Sequence, residues 1–306
     1  MYSKFICPDM FSCNIDDCLK ECRMADKLSA GRCLSVRSLK AISEQRVWNG
    51  TPSTTQLLNG TREAYLTIKC DYTVDPQDMV YALFGTRVHS KLEEFTPDNG
   101  LSEERLFDGV SSGAFDFYED GVLYDVKTYG SYAVAKTLGL VEKQIPDGFY
   151  KTTRVGKYQK GDPKFKKIFV EGGIHKRFNL MVQLNDYRMK LEKYGFDVNK
   201  MVCEILVRDG GTYIAQSRGV NQKALLVVVN KISDRWISRY MKEKARRLQE
   251  ALATETLPPP CSPRERWYDP VTKRSGKCAS FCPVRYFCNV GGREMALSDF
   301  GKKVEL

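Results

Sequence analysis

The stretch from Gly113 to Thr128, GAFDFYEDGVLYDVKT, limits what this chain can fold into more than any other. Ala114–Tyr118 and Val122–Lys127 are rich in aromatic and branched residues, and Asp120-Gly121 between them is a strong signal for a two-residue hairpin loop. That loop sets the register: Glu119 pairs with Val122, Tyr118 with Leu123, Phe117 with Tyr124, and Asp116 with Asp125. Directly opposed residues have Cβ atoms about 5 Å apart, where like charges destabilise a sheet unless something positive lies between them. A divalent cation reverses that penalty. Side chains alternate along a strand, so Lys127 shares a face with Asp125. The hairpin is therefore expected to gather two carboxylates and an amine, a layout suited to metal-dependent phosphodiester chemistry.

A chain of 306 residues can bury one large core and still carry small appendages. Its 48 Lys and Arg against 38 Asp and Glu give a formal charge of +10, which favours a polyanionic partner such as nucleic acid. No run approaches the roughly 18 apolar residues needed to span a bilayer, and MYSKFICPDMFSC lacks the apolar core of a signal peptide. A cytoplasmic protein without membrane partners is expected. In a reducing compartment the 11 cysteines point to metal rather than disulfides, since an odd number cannot all pair.

The cysteines divide the chain into three parts. Residues 1–45 hold Cys7, Cys13, Cys18, Cys22 and Cys33 and read as a small appendage. Its first four cysteines offer a zinc site, with Cys33 as a fifth thiol; free, packed cysteines are the alternative. Residues 46–257 form the main body, and residues 258–306 a final segment set off by Pro258–Pro260. That segment carries Cys261, Cys278, Cys282 and Cys288, four thiolates that suit zinc or an iron–sulfur cluster.

Within the body, Ser53–Arg62 reads as a capped short helix and turn. Asp78–Phe95 reads as a helix, because Val80, Leu83, Phe84, Val88, Leu92 and Phe95 recur at helical spacing. His89 lies beside that stripe, with Glu93 one turn later on the same face. A lone histidine there is ordinarily a hydrogen-bonded structural residue, and the neighbouring motifs are what turn it into a candidate ligand. Residues 129–168 read as a loop, and KYQKGDPKFKK within it interleaves aromatic rings with positive charge, which suits a nucleic-acid strand or a solvated surface. His175–Gly195 reads as a helix placing Gln183 and Tyr187 on one face. Lys200–Arg208 and Thr212–Ser217 are expected to form a second hairpin around Asp209-Gly210-Gly211, Ala224–Asn230 an interior strand of a mixed sheet, and Asp234–Ala253 a basic helix.

The ordered set GTRVHSKLEE, GAFD, DVKT and QLNDY, from Gly85 to Tyr187, resembles the RecB-like branch of the PD-(D/E)XK nucleases, close to the Cas4-type exonucleases. Four elements in order are far more specific than a lone DxK. The resemblance implies an α/β, restriction-endonuclease-like fold: a mixed central sheet flanked by helices, with cysteine-rich appendages at both ends. It implies that His89, Asp116, Asp125 and the Val126 carbonyl bind Mg²⁺ or Mn²⁺, and that Lys127 orients or activates the attacking water. Gln183 and Tyr187 would support that lysine and contact DNA, with Glu93 a weaker candidate. It also implies a 4Fe-4S cluster in the C-terminal segment, although Cys278 and Cys282 are separated by three residues where the family has two. Cys261 supplies an obvious fourth ligand from the same end, and Cys33 or Cys70 could replace it. Zinc is the alternative occupant. The implied activity is DNA cleavage, as an exonuclease on single-stranded or end-containing DNA, beside a helicase or a recombination, repair or defence protein. Two other readings stand beside it: a non-catalytic DNA-binding subunit on a nuclease scaffold, and a zinc-containing RNA-binding protein.

Overall fold

A computed structural model describes residues 1–96, 98–154, 157–173, 175 and 177–293. Residues 294–306 of the C-terminal segment lie outside the described residues, as do 155, 156 and 176 within the basic loop and before the Gln183 helix.

The N-terminal segment starts with β1 (Tyr2–Ile6) and β2 (Ser12–Asn14), an antiparallel pair, followed by α1 (Ile15–Lys20) and α2 (Val36–Ser43). Then come α3 (Thr54–Leu58), α4 (Thr61–Lys69), β3 (Tyr72–Val74) and α5 (Pro76–Glu93). Ser53 and Gln56 form a capping box on α3, as its sequence suggests. β1 also pairs in parallel with β3, and Phe5, Ile15, Leu39, Ile42 and Val74 share one small core. Residues beyond 45 thus contribute a strand to the N-terminal sheet. The α5 helix is capped by Asp75 rather than started by Asp78, with Pro76 at its first position. Its apolar stripe is largely solvent-facing: Phe84, Leu92 and Phe95 are exposed.

The body is mixed α/β. Strands β4 (Leu101–Ser102), β5 (Arg105–Phe107), β6 (Ser112–Ala114), β7 (Phe117–Glu119) and β8 (Val122–Tyr129) precede α6 (Ser131–Thr137). Next are β9 (Leu140–Phe149), β10 (Pro163–Glu171), α7 (Phe178–Lys193), β11 (Lys200–Val207), α8 (Tyr213–Ser217), β12 (Ala224–Val229) and α9 (Asp234–Ala253). The central sheet runs β12-β11-β8-β7-β4, with β8 and β11 parallel and the other neighbours antiparallel. Leu123, Met201, Cys203, Ile205, Val227 and Val229 from three of its strands meet Leu184, Tyr187 and Leu191 of α7 in the main core.

Three expectations need correction. The basic stretch from 129 to 168 is no loop: β9 and β10 form a long antiparallel ribbon, in which part of KYQKGDPKFKK is strand and several of its lysines pair with Asp147 and Glu142. Thr212–Ser217 is not the second arm of a hairpin; Thr212 caps α8, and β11 takes β12 as its antiparallel partner instead. β12 lies at the sheet edge rather than inside it, so Val227 and Val229 are buried while Leu226 and Val228 face solvent. Its unbroken apolar run imitates a two-sided strand because the sequence does not record which face is left uncovered. Among the described residues no helix is long and apolar enough to cross a membrane.

Candidate metal-binding active site

The hairpin forms in the expected register, with Phe117 opposite Tyr124, Tyr118 opposite Leu123 and Glu119 opposite Val122. Asp120 and Gly121 both adopt positive φ, +48° and +77°, the geometry of a type I′ loop. Asn99 donates to the Asp120 carboxylate at 2.8 Å, and the Phe117 and Tyr124 rings stack at 4.5 Å.

The ladder stops one pair short of the aspartates. Phe115 turns into the core and Ser112–Ala114 pairs with β5, so the first arm is two short strands, not one. Asp116 sits at the break, and its Oδ2 accepts the Val126 N–H, standing in for a backbone acceptor. The two aspartates are therefore neighbours through a side-chain bond across the strands rather than a direct ladder pair.

Asp125 is fully buried. Its Oδ1 accepts from Lys127 Nζ at 2.7 Å and from Gln183 Nε2 at 3.3 Å, and Gln183 also donates to Tyr187 Oη at 3.1 Å. Strand alternation puts Asp125 and Lys127 on the face that α7 covers, and the i, i+4 spacing on α7 brings Gln183 and Tyr187 to meet them. Gly113 makes room: a Cβ there would lie 2.4 Å from the Tyr187 ring and 2.8 Å from Thr54 Oγ1. Below this pair, Asp186 accepts from Thr54 at 2.6 Å and from Lys190, whose ammonium also donates to Ser111 at 3.0 Å. This buried, satisfied network locks α7 against α3.

On the other side of β8, His89 reaches in from α5. Its Nδ1 lies 3.1 Å from Glu103 and 3.3 Å from Asp116 Oδ1, and its Nε2 is 3.3 Å from the Val126 carbonyl. His89, Glu103 and Asp116 each offer a ligand atom, all within 4.8 Å of one another. Glu103, not Glu93, completes this group. It follows the two-residue strand β4, adopts positive φ (+54°), and donates its N–H to the Asp116 carbonyl at 3.0 Å. Glu93 is exposed at the end of α5. Nothing in the sequence marks so short a strand; the only cue is an acid lying near the hairpin.

The charges are tuned by their surroundings. Hydrogen bonds to Asp116 and then Glu103 raise the His89 pKa to about 10, against the opposing cost of burial. Burial raises Asp125, partly offset by the Lys127 charge. Burial alone would lower Lys127, but the Asp125 and Asp116 charges outweigh it and hold the ammonium protonated. Burial also pushes Tyr187 up to about 12, so it remains a neutral donor. The result is three carboxylates facing a lysine and a protonated histidine. Glu103 is 34% exposed and Lys127 24% exposed, so the site opens to solvent on one side. A divalent cation could replace the His89 proton that now holds the acids together.

The C-terminal cysteines converge as well. Cys261, Cys278, Cys282 and Cys288 line a single narrow pocket with Arg62 and Glu63. Arg62 bonds the Pro258 carbonyl at 2.6 Å, and Lys277 bonds Glu63 at 2.6 Å, fastening this segment to α4. Burial raises the Cys288 thiol, but the Gly291 N–H and the Arg62 guanidinium outweigh it and lower it overall. Four thiols beside a cation fit a four-thiolate group, either tetrahedral zinc or 4Fe-4S. Cys261 takes the fourth place in this lining, while Cys33 lies with the N-terminal cysteines.

Fold and site together define a mixed α/β protein with a carboxylate–histidine–lysine cluster at the head of its central sheet. Comparisons with protein-family models and with curated proteins return no match for this chain.

Proposed function

We propose that this protein is a metal-dependent deoxyribonuclease of the PD-(D/E)XK kind, with a restriction-endonuclease-like core and a RecB-like or Cas4-like order of motifs. One observation carries the reading: Asp116, Asp125 and Lys127, from one hairpin, meet His89 from α5 and Gln183 and Tyr187 from α7. These are the residues that the motif order marks, and hydrogen bonds join them although they span almost a hundred positions.

His89, Asp116, Asp125 and the Val126 carbonyl would hold Mg²⁺ or Mn²⁺, with Glu103 as a further carboxylate beside them. The bound cation supplies Lewis-acid polarisation of a phosphodiester and a lowered pKa for the attacking water. Lys127, held protonated by Asp125, offers a fixed positive charge to the pentavalent phosphate as negative charge develops. Gln183 fixes the Asp125 oxygen that Lys127 also holds, and so positions both. Tyr187 supports Gln183 from below. The formal charge of +10 and the lysines of the β9–β10 ribbon favour a nucleic-acid substrate. Single-stranded or end-containing DNA is the substrate proposed, delivered by a helicase or a recombination, repair or defence partner. The C-terminal pocket would hold a 4Fe-4S cluster, with zinc as the alternative.

The test is cleavage of single-stranded and duplex DNA by purified protein in Mg²⁺, Mn²⁺ or chelator. Wild type should cut only with metal, and Asp116→Asn and Lys127→Gln should lose at least a hundredfold in rate while still binding DNA. Full cleavage by folded Asp116→Asn refutes the assignment.

A further inference from the structure

We propose that the N-terminal segment carries a zinc–thiolate site of its own, in which Cys33 joins Cys7 and Cys18 as a ligand and the fourth thiolate comes from Cys13 or Cys22. The site is separate from the C-terminal pocket and independent of the nuclease reading.

The fold gathers these cysteines from five positions. Between β1 and β2 the chain closes a tight loop, in which Cys7 N–H bonds Phe11 O at 2.8 Å and Met10 N–H bonds Cys7 O at 2.8 Å, with Met10 at φ +68°. The loop brings the Cys7 and Cys13 sulfurs to 3.5 Å. That is far longer than a disulfide bond of about 2.05 Å. It is close to the separation of about 3.8 Å between two sulfurs each 2.3 Å from a tetrahedral zinc.

Cys18, buried on α1, shares a hydrogen bond with Cys13 and lies within electrostatic reach of Cys33, Cys7 and Cys22. Cys33 in turn senses Cys22 and Cys7. It is delivered by its neighbour: Arg32 donates to the Cys18 carbonyl at 2.6 Å and to the Lys20 carbonyl at 3.2 Å, fastening the 28–34 turn to the end of α1. Arg23, paired with Asp9 at 2.7 Å, holds the first loop from the other side.

The segment also needs a cross-link. Between residues 21 and 35, Met24 is the one buried side chain and Ala25–Lys27 the one helical turn. So little apolar burial does not offset the entropy of ordering those residues, and small segments with this deficit are commonly stapled by metal. Thiolate-only coordination selects zinc among the abundant divalent ions.

Zinc content separates the two cysteine groups. Full-length protein purified without added metal should carry one more zinc equivalent than Cys33→Ser, and Cys70→Ser, altered outside both groups, should match wild type. Equal zinc in wild type and Cys33→Ser overturns the proposal. Because Cys33→Ser can also loosen the segment, a second measurement uses intact N-terminal cysteines. A Cys278→Ser/Cys282→Ser chain, stripped of metal and titrated with Co²⁺ alone, should develop the visible band of tetrahedral cobalt–thiolate at one equivalent. No band, or a band unchanged when Cys7→Ser is added, overturns it. Neither readout involves DNA cleavage, so an inactive enzyme with this zinc site, or an active one without it, gives a distinct result.

Discussion

His89 sets the pH dependence of metal binding. In the metal-free site its pKa is raised to about 10 by Asp116 and Glu103, against 6.5 for an unperturbed imidazole. At pH 7.5 only about one molecule in 300 then carries a neutral His89, whereas an ordinary histidine would be about nine-tenths neutral. A cation must expel that proton before using the imidazole as a ligand. Mn²⁺ binding should therefore release about one proton, and its apparent affinity should climb by up to about tenfold per pH unit between about pH 7 and 9. Titration calorimetry in buffers of differing ionisation enthalpy measures both quantities. His89→Gln should bind more weakly and with a flatter pH profile. The linked stability has the opposite sign. A raised folded-state pKa contributes stability that is fully present below pH 6.5 and is lost as pH rises through about 10. The melting difference between metal-free wild type and His89→Gln should narrow across that window. Wild-type affinity that stays flat from pH 7 to 9, with no proton released, refutes the assignment of His89 as a ligand.

Other substitutions probe the remaining contacts. Glu103→Gln removes one of the two carboxylates on His89 Nδ1 and should weaken Mn²⁺ binding about 10-fold or more, measured by the same calorimetry; unchanged affinity would exclude Glu103 from the site. Gly113→Ala drives a methyl group to 2.4 Å from the Tyr187 ring, so urea unfolding should show a loss of about 1–3 kcal/mol, and a loss below about 0.5 kcal/mol would mean that α7 yields freely. Lys127→Met leaves the fully buried Asp125 without its counter-ion and should cost about 3–5 kcal/mol near neutral pH. That loss should shrink toward acid as Asp125 takes up a proton, and a pH-independent loss would show that packing, not charge, is responsible.

The parts of the site legible in the sequence are those fixed by local rules. Asp120-Gly121 dictates a loop type, the loop dictates the register, and the register brings Asp125 and Lys127 together on one face. Four-residue spacing on a helix likewise predicts that Gln183 meets Tyr187. What the sequence conceals depends on contacts between distant segments. Glu103 rests on a two-residue strand, too short for any periodicity, and is recruited only because β4 pairs with β7. Glu93 seemed equivalent from helical spacing, but the helix ends there and leaves it in solvent. The β9–β10 ribbon was hidden for another reason: its lysines and glycines depress strand propensity, and pairing along nearly the whole length of both strands overrides that local preference. Cys33 shows the same limit, since its approach to Cys18 depends on an arginine bonding carbonyls more than ten positions away.

The two halves of the candidate site differ in rigidity. Asp125, Lys127, Gln183 and Tyr187 rest on central strands and on α7, which the buried Thr54–Asp186–Lys190–Ser111 network anchors. His89 and Glu103 rest instead on a mostly exposed helix and on the residue after a two-residue edge strand, elements with few buried contacts. Local opening concentrates where burial is sparse, so the ligand half should move while the lysine half stays fixed. Asp116 connects them, bonding Val126 of the rigid strand through one carboxylate oxygen and approaching His89 with the other. A cation drawn to His89, Glu103 and Asp116 would therefore act on the half least held by the protein core, tying α5 to the hairpin and fixing the ligand geometry only when metal is present. The lysine, already paired and immobile, is ready before the metal arrives.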